Sequence, residues 1–530
     1  MRILRFLLAL AATAALLWAL RTSFRAGAAT LPPLGAFLNP FSGFWANAER
    51  AAGFPLRHTN ADLPGLSGPV EVTYDDLLVP HIFAKNIEDA ARVQGYVTAM
   101  NRLWQMDITT RKAAGRLSEV LGERTLAIDR LMRRRGMTFA AENSVAAWSK
   151  SPQTMRIMEA YSAGVNTYIE QMSEAEMPVE FKLLGYRPEP WSPYKIALII
   201  EGMSDNLAAK SDDLAATNAL AAFGRQTFDY LYPEWNPLQR PIVPDTGQWK
   251  DIPPPALPVV PAGGSRDTSL TVLPGSTSLS SAPEWQDSPD DYLKGSNNWA
   301  LSGSRTQSGK TLLSSDPHLS LSLPSVWYQT QIRTPEMSTY GVALPGIPGI
   351  VIGFNDEVAW GVTNVGHDVS DWYKIKWKNA ARTHYDLDGE DREARLKVEE
   401  IRIKGRPSLF DTVRYTVWGP VVYDHEPQHA LFDYALRWLS HDTPQENTAL
   451  QFLLLNQSKT YADYRSALKG YDCPAQNFVF ATRSGDIAIQ VQGRFPVRSH
   501  EQGRFLQDGS RWGNSWTSYI PQEHLPALHN

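Results

Sequence analysis

The feature that most limits what this chain can fold into is a change of texture near its middle. From about Asp251 to Asp291 it reads Pro253-Pro254-Pro255, Pro258, Pro261, Gly263-Gly264, then serines, then Asp287, Asp290 and Asp291. Such a stretch holds too little apolar surface to order itself. Before it, apolar residues recur at helical spacing. Val93, Val97, Met100, Leu103-Trp104 and Ile108 fall on one face of a helix starting near Glu88, with Gly115 and Gly122 punctuating its far end. Helical pattern also fills Pro152–Met172 and Pro193–Phe223, the second opened by Trp191-Ser192-Pro193, where serine suits an N-cap and proline the first turn. Residues 30–65 read as an irregular lead-in, and Val70–Tyr74 alternates like a strand. After the break, strand patterns dominate: Thr311–Leu313, Val326–Ile332, Gly349–Ile352, Val413–Val422, Phe478–Ala481 and Ile487–Val491. Helices, spacer, then strands is the order of a layered α+β protein. It divides the chain into an N-terminal targeting segment (1–28), a helical segment (30–250), a spacer (251–295) and a sheet-rich segment (296–530).

The spacer ends at Gly295-Ser296-Asn297-Asn298-Trp299. If the Gly295–Ser296 bond is cut, Ser296 carries both a hydroxyl and a free α-amine. That amine has an ordinary pKa near ~8, so it is available as a base at neutral pH. A hydroxyl with a base this close is an activated nucleophile built from one residue. By itself, a Gly-Ser pair is also an ordinary loop ending.

The neighbouring motifs extend the argument. They are Asp316-Pro317-His318-Leu319, then Pro348-Gly349-Ile350-Val351-Ile352-Gly353-Phe354-Asn355, then Trp360-Gly361-Val362-Thr363-Asn364-Val365-Gly366 running into His367-Asp368-Val369-Ser370-Asp371. Upstream stand Val79-Pro80-His81-Ile82 and Gly95-Tyr96-Val97-Thr98-Ala99-Met100-Asn101-Arg102-Leu103-Trp104-Gln105-Met106-Asp107. From about Val70 onward the chain resembles the penicillin acylase family of N-terminal-nucleophile amidases.

The resemblance implies an αββα sandwich with a mostly helical N-terminal segment. It also implies a self-processing N-acyl amidohydrolase working through a serine acyl-enzyme. Ser296 would be the nucleophile, Gly295–Ser296 the self-cleaved bond, and the product an α/β heterodimer from one precursor. The backbone oxyanion donor maps to Asn364 or Val365, and the side-chain donor to Asn477. His318 stands where penicillin G acylases carry glutamine and cephalosporin or acyl-homoserine-lactone acylases carry histidine, and would hydrogen-bond the serine. Leu319 and Ile352 would floor the acyl pocket where phenylacetyl-preferring relatives place phenylalanines. Aliphatic walls give no aromatic face for stacking, so an aliphatic acyl group is expected.

A structural Ca²⁺ would be held by Asp368, the Ser370 carbonyl and Asp371. Asp213 (or Asp212) would stand in for a glutamate in the helical segment. Two departures stand out. Leu78 replaces the glycine usual before Val-Pro-His-Ile. The sequence also stops at Asn530, where relatives continue past Trp512–Trp516 and Leu525-Pro526. The second departure leaves an alternative, a truncated and non-catalytic scaffold of the cell envelope.

A net charge of −5 and a pI near 6.2 disfavour a nucleic-acid partner. The lone Cys473 excludes an internal disulfide and reads as a small buried residue. Arg2 and Arg5 precede an apolar run, Phe6–Leu20, and Ala26-Gly27-Ala28 offers a small-residue cleavage site, with Arg21 and Arg25 between them. This predicts a periplasmic protein, released or anchored. His425-Glu426-Pro427-Gln428-His429 matches the zincin pattern by letter, but Pro427 breaks the helix that pattern needs. Gly303 to Gly309-Lys310-Thr311 has five intervening residues where a phosphate loop has four.

Overall fold

The computed structural model describes residues 2–26, 29–31, 33–52, 61–234, 238, 295–516 and 518–530. The expected spacer, apart from Gly295, lies outside them, as do Gly27 and Ala28 of the candidate cleavage site.

The helices that matter are α1 (Arg2–Arg21), α2 (Ile87–Ala113), α3 (Leu126–Arg134), α4 (Met137–Trp148), α5 (Pro152–Gln171), α6 (Pro193–Ala208), α7 (Asp213–Leu231), α8 (Gln451–Asn456) and α9 (Tyr461–Leu468). Helix α2 starts where Asn86 caps it, its Oδ1 accepting from the Asp89 amide at 2.8 Å. Glu88 and Asp89 in its first turn and Arg111 and Lys112 in its last complement the helix dipole. Helices α2 and α5 cross nearly backbone to backbone. A Cβ on Gly95 would lie 2.2 Å from the Tyr161 carbonyl oxygen, and one on Gly164 1.8 Å from that of Arg92.

The strands that matter are β1 (Glu71–Tyr74), β2 (Pro80–Phe83), β3 (Ser296–Leu301), β4 (Leu312–Pro317), β5 (Tyr328–Arg333), β6 (Ser338–Ala343), β7 (Ile352–Phe354), β8 (Val358–Asn364), β9 (Ser370–Lys374), β10 (Arg395–Ile403), β11 (Arg406–Thr416), β12 (Tyr434–Trp438), β13 (Gln476–Thr482), β14 (Ile487–Gln492) and β15 (Ala527–His529). Nine of them form one sheet in the order β15-β14-β13-β8-β7-β6-β5-β2-β1. Its pairs are antiparallel except β2–β5, where His81, Ile82 and Phe83 run parallel to Gln331, Ile332 and Arg333. The helical segment thus contributes two strands to the sheet of the later segment.

The main core joins the helices to one face of this sheet. Ala99, Met106, Met158, Val165, Ile196 and Ala197 are buried with Trp360, Phe478 and Phe480. A second β layer, the antiparallel β3–β4 ribbon, lies on β8 and β13. Asn298 Nδ2 donates to the Asn477 carbonyl at 2.9 Å and Thr311 Oγ1 to the Thr482 carbonyl at 2.6 Å. Gly361 makes the close contact possible, since a Cβ there would sit 2.4 Å from Ser315 Cβ. The α+β architecture is as expected.

Four expected elements differ. The strand expected over Val413–Val422 ends at Thr416 and turns at 417–418, and the lead-in over 30–65 holds helices at Leu34–Phe37 and Phe44–Ala52. Pro193–Phe223 is two helices, because the chain breaks at 209–212 and turns the Asp213 carboxyl inward. The strand expected from Gly349 begins only at Ile352. Residues 344–351 are buried without regular structure, and Pro345 and Pro348 have no N–H to give a ladder. Helix α1 has no buried residue and is long and apolar enough to cross a membrane.

Candidate active site

Ser296 begins β3, opposite Pro317 of β4. Among the described residues, a Cβ built on Gly295 would meet nothing within 4 Å. The Ser296 Oγ accepts a hydrogen bond from the His318 backbone amide at 3.2 Å. The His318 imidazole turns away, its Nε2 lying 2.9 Å from Asp316 Oδ2. The expected His318–serine contact is thus made by the main chain of His318.

Ser296 lines an apolar cavity of ≈ 110 Å³. Helix α6 supplies Ile196, Ile199, Ile200, Met203 and Leu207. The strand side supplies Leu344, Ile347, Pro348, Val351 and Val362, and Leu319, Trp327 and Phe452 complete the wall. Leu319 is where the sequence reading put it. Ile352 is not among the lining residues; Val351, one position earlier, is. The α6 contribution went unnamed at the sequence level, although positions 196, 199, 200, 203 and 207 are an apolar helical stripe. Cys473 is part of the wall, and burial pushes its thiol up to about 12.

The two oxyanion candidates, Asn364 at the end of β8 and Val365 just after it, separate by ladder geometry. Val365 N–H is committed to the Ala475 carbonyl at 3.1 Å. In an antiparallel ladder, alternate residues point their N–H groups to opposite sides. The Asn364 N–H therefore points away from β13, and Asn364 is a lining residue of the cavity. The Asn364 side chain is anchored, its Nδ2 donating to the Leu207 carbonyl at 3.0 Å. Asn477 Nδ2 donates to Thr363 Oγ1 at 3.2 Å, and Thr363 also lines the cavity. Ser296 and Asn364, whose N–H has no partner among the described residues, thus border one apolar hole, and the Asn477 amide, itself outside the lining, bonds the lining residue Thr363. This set can attack a carbonyl and stabilise the resulting oxyanion.

Away from the cavity, Asp213, Asp368 and Asp371 bring one oxygen each within 4.8 Å of the others. Asp213 opens α7, Asp371 lies in β9, and Asp368 precedes it. Asp212, the other helical-segment candidate, is exposed. Burial first, and then the charges of Asp371 and Asp368, push Asp213 up to about 8; burial pushes Asp368 up to about 7. Arg498 Nη2 donates to Asp371 Oδ1 at 2.7 Å and Trp516 Nε1 to Asp371 Oδ2 at 2.5 Å. Asp213 Oδ1 and Ser370 Oγ are buried without a hydrogen-bond partner. Hard oxygen donors, an orphaned carboxylate oxygen and surplus negative charge fit a Ca²⁺ ion. Arg498 and Trp516 were missed at the sequence level because they lie more than a hundred residues further along the chain.

The zincin-like letters fall in a turn region with no helix, where the His429 ring stacks on Tyr423. Gly309-Lys310-Thr311 leads into β4 and not into a helix.

The penicillin amidase family profile matches residues 69–530. The acyl-homoserine lactone acylase QuiP of Pseudomonas aeruginosa is 30% identical over 92% of this chain and 56% of its own length. The penicillin acylase 2 proenzyme of a Pseudomonas species is 29% identical over 90% of this chain and 59% of its own. A solved penicillin G acylase from Alcaligenes faecalis superposes with a TM-score of 0.40 at 22% identity, over 44% of this chain and 42% of that one. The chain belongs to the penicillin amidase family. It spans little more than half the length of the curated relatives it matches.

Proposed function

We propose that this protein is a self-processing N-acyl amidohydrolase acting on aliphatic acyl amides. The observation that carries the reading is Ser296 in the lining of an apolar cavity also bordered by Asn364, whose N–H has no partner among the described residues. In maturation, the Ser296 hydroxyl attacks the Gly295 carbonyl, the peptide bond becomes an ester, and water hydrolyses it. This releases the Gly295 carboxylate and the Ser296 α-amine. In turnover the same hydroxyl attacks the substrate amide and its proton passes by way of the α-amine to the leaving amine. Water then hydrolyses the acyl-enzyme. The Asn364 N–H and Asn477 Nδ2 are the oxyanion donors, the latter exchanging its present bond to Thr363. The His318 amide orients the hydroxyl.

The aliphatic preference is supported by the majority of the lining: Leu319, Ile199, Ile200, Leu344, Ile347 and Val351 offer branched aliphatic surface, beside the aromatic Trp327, Phe452 and Tyr471. The amide class is supported by the names of the relatives, which include acyl-homoserine lactone and penicillin acylases. Asp213, Asp368, Asp371 and the Ser370 carbonyl would hold Ca²⁺, whose charge would offset the buried carboxylates; no catalytic step involves it. Helix α1 would direct export to the periplasm, as a cleaved signal or a retained anchor.

The test is intact-mass and N-terminal analysis of wild type beside Ser296→Ala. Two polypeptides, one beginning at Ser296, with the variant staying whole at 59.1 kDa, are expected. A single uncut wild-type chain would move the non-catalytic scaffold reading ahead. Octanoyl and decanoyl amides should then be hydrolysed faster than phenylacetyl ones; the reverse order would remove the aliphatic assignment.

A further inference from the structure

Part of the cavity wall is held in an unusual way. Residues 344–351 contribute Leu344, Ile347, Pro348 and Val351 to the lining, and all eight residues are buried, yet the segment forms neither helix nor strand. Buried backbone polar groups must find partners, and here no ladder provides them. Pro345 and Pro348 have no N–H. The Gly346 N–H donates to the Tyr161 hydroxyl at 3.1 Å, and that of Ile347 to the Leu344 carbonyl at 3.2 Å. The Gly349 N–H donates to Gln94 Oε1 at 2.9 Å, and that of Ile350 to Asn456 Oδ1 at 2.8 Å. Val351 N–H reaches the Val342 carbonyl at 2.9 Å. The two amide side chains also donate back, Gln94 Nε2 to the Gly349 carbonyl at 3.1 Å and Asn456 Nδ2 to that of Ile350 at 2.8 Å.

We propose that Gln94, Tyr161 and Asn456 are positioning residues that hold this wall in one register and thereby set which acyl chain the cavity admits. The proposal rests on reading the cavity as an acyl site. The three side chains are themselves buried, on α2, α5 and α8, and none lines the cavity. Each amide side chain grips both peptide groups of one residue, so the wall cannot slide by a residue without leaving buried donors bare. Gln94 and Tyr161 precede the Ser296 junction, so in a cleaved protein one polypeptide would shape the pocket of the other.

The variants are Gln94→Leu, Gln94→Glu (which keeps the acceptor for the Gly349 N–H) and Tyr161→Phe. KM and kcat are measured with butyryl and decanoyl amides of one chromogenic amine. Decanoate binding is measured by calorimetry, independently of turnover. In Gln94→Leu the ratio of decanoyl to butyryl KM changes by about fivefold or more, with KM moving further than kcat, and decanoate affinity moves in parallel. Gln94→Glu recovers part of that change. Tyr161→Phe, which removes one oxygen and keeps the packing, shifts the ratio in the same direction. An unchanged ratio with a lowered melting temperature would reduce Gln94 and Tyr161 to fold stabilisers and overturn the proposal, as would a wild type that binds no decanoate. If decanoate binds and the variants alter its affinity but no acyl amide is turned over, the proposed activity fails while the positioning role stands.

Discussion

Leu78 sits at φ 61°, in the left-handed region that disfavours a side chain. The turn is closed by Asp75, whose Oδ1 accepts from the amides of Leu77 and Val79, each at 2.9 Å. Leu78→Gly is expected to raise the unfolding free energy by about 0.5–1 kcal/mol, relief of strain outweighing the added freedom of the unfolded chain. Denaturant titration reads this directly, and a destabilised variant would refute it. At the site, Asn477→Ala is expected to lower kcat by about 10²–10³ on any acyl amide turned over, with KM little changed. Behind the cavity, Glu201 is pushed up to about 7 by burial, although Ser144 Oγ donates to it at 2.9 Å. The folded state therefore holds this proton more tightly than the unfolded chain does. The resulting stability is complete below about pH 4.5 and is lost as pH rises to about 7, roughly 3 kcal/mol in all. Buried His441, pushed down to about 4, acts oppositely and weakens the fold as pH falls from about 6.5 to 4. Glu201→Gln should remove the share of the first slope that belongs to Glu201, leaving that of Asp213 and Asp368, which are raised in the same direction, and keep the second; urea midpoints that run parallel to wild type across pH 4.5–7 would exclude this assignment.

Among the elements, the β3–β4 ribbon and the α3 helix are the most exposed to test. Ser315 presses onto Gly361, so Gly361→Ala lifts the ribbon that carries Ser296 and costs about 1–3 kcal/mol. Its processing should slow in step, seen as uncut chain on a denaturing gel. Helix α3 meets the β10–β11 hairpin through Arg134, whose Nε donates to Asp411 Oδ2 and Nη1 to Asp424 Oδ1, each at 2.6 Å. Burial alone would raise Asp411, but Arg134 and Arg130 outweigh it and hold the carboxyl down at about 2. Arg134→Met leaves two buried carboxylates short of a partner and should cost about 3–5 kcal/mol. An effect below about 1 kcal/mol would mean water reaches that cluster.

At the scale of the molecule, the segments before and after Ser296 are interleaved. The parallel β2–β5 pair, the Arg134 cluster and the Gln94 and Tyr161 contacts all join them. The cleaved protein should therefore run as one species near 59 kDa on gel filtration and separate only in denaturant. Chelation should lower its melting temperature and added calcium restore it. Indifference to both would remove the metal from Asp213, Asp368 and Asp371.

Local pattern carried the α+β class and the helices near 87–113 and 152–171, because periodicity and turn chemistry act over a few residues; the choice of Ser296, Asn364 or Val365, and Asn477 came from the motifs the chain shares with the penicillin acylase family. The α6 stripe was equally local and could have been read as a wall. What no local pattern contained was which partner each group would meet. His318 reaches Ser296 by its backbone, because register in the ribbon sets what faces the serine. Val365 spends its N–H on Ala475, because β8 pairs with β13. Arg498 and Trp516 meet Asp371 only after the chain has returned from more than a hundred residues away. Sequence alone determined which groups were available for chemistry; tertiary structure decided which N–H groups, carboxylates and side chains were left free, since commitment to a partner depends on packing between distant segments.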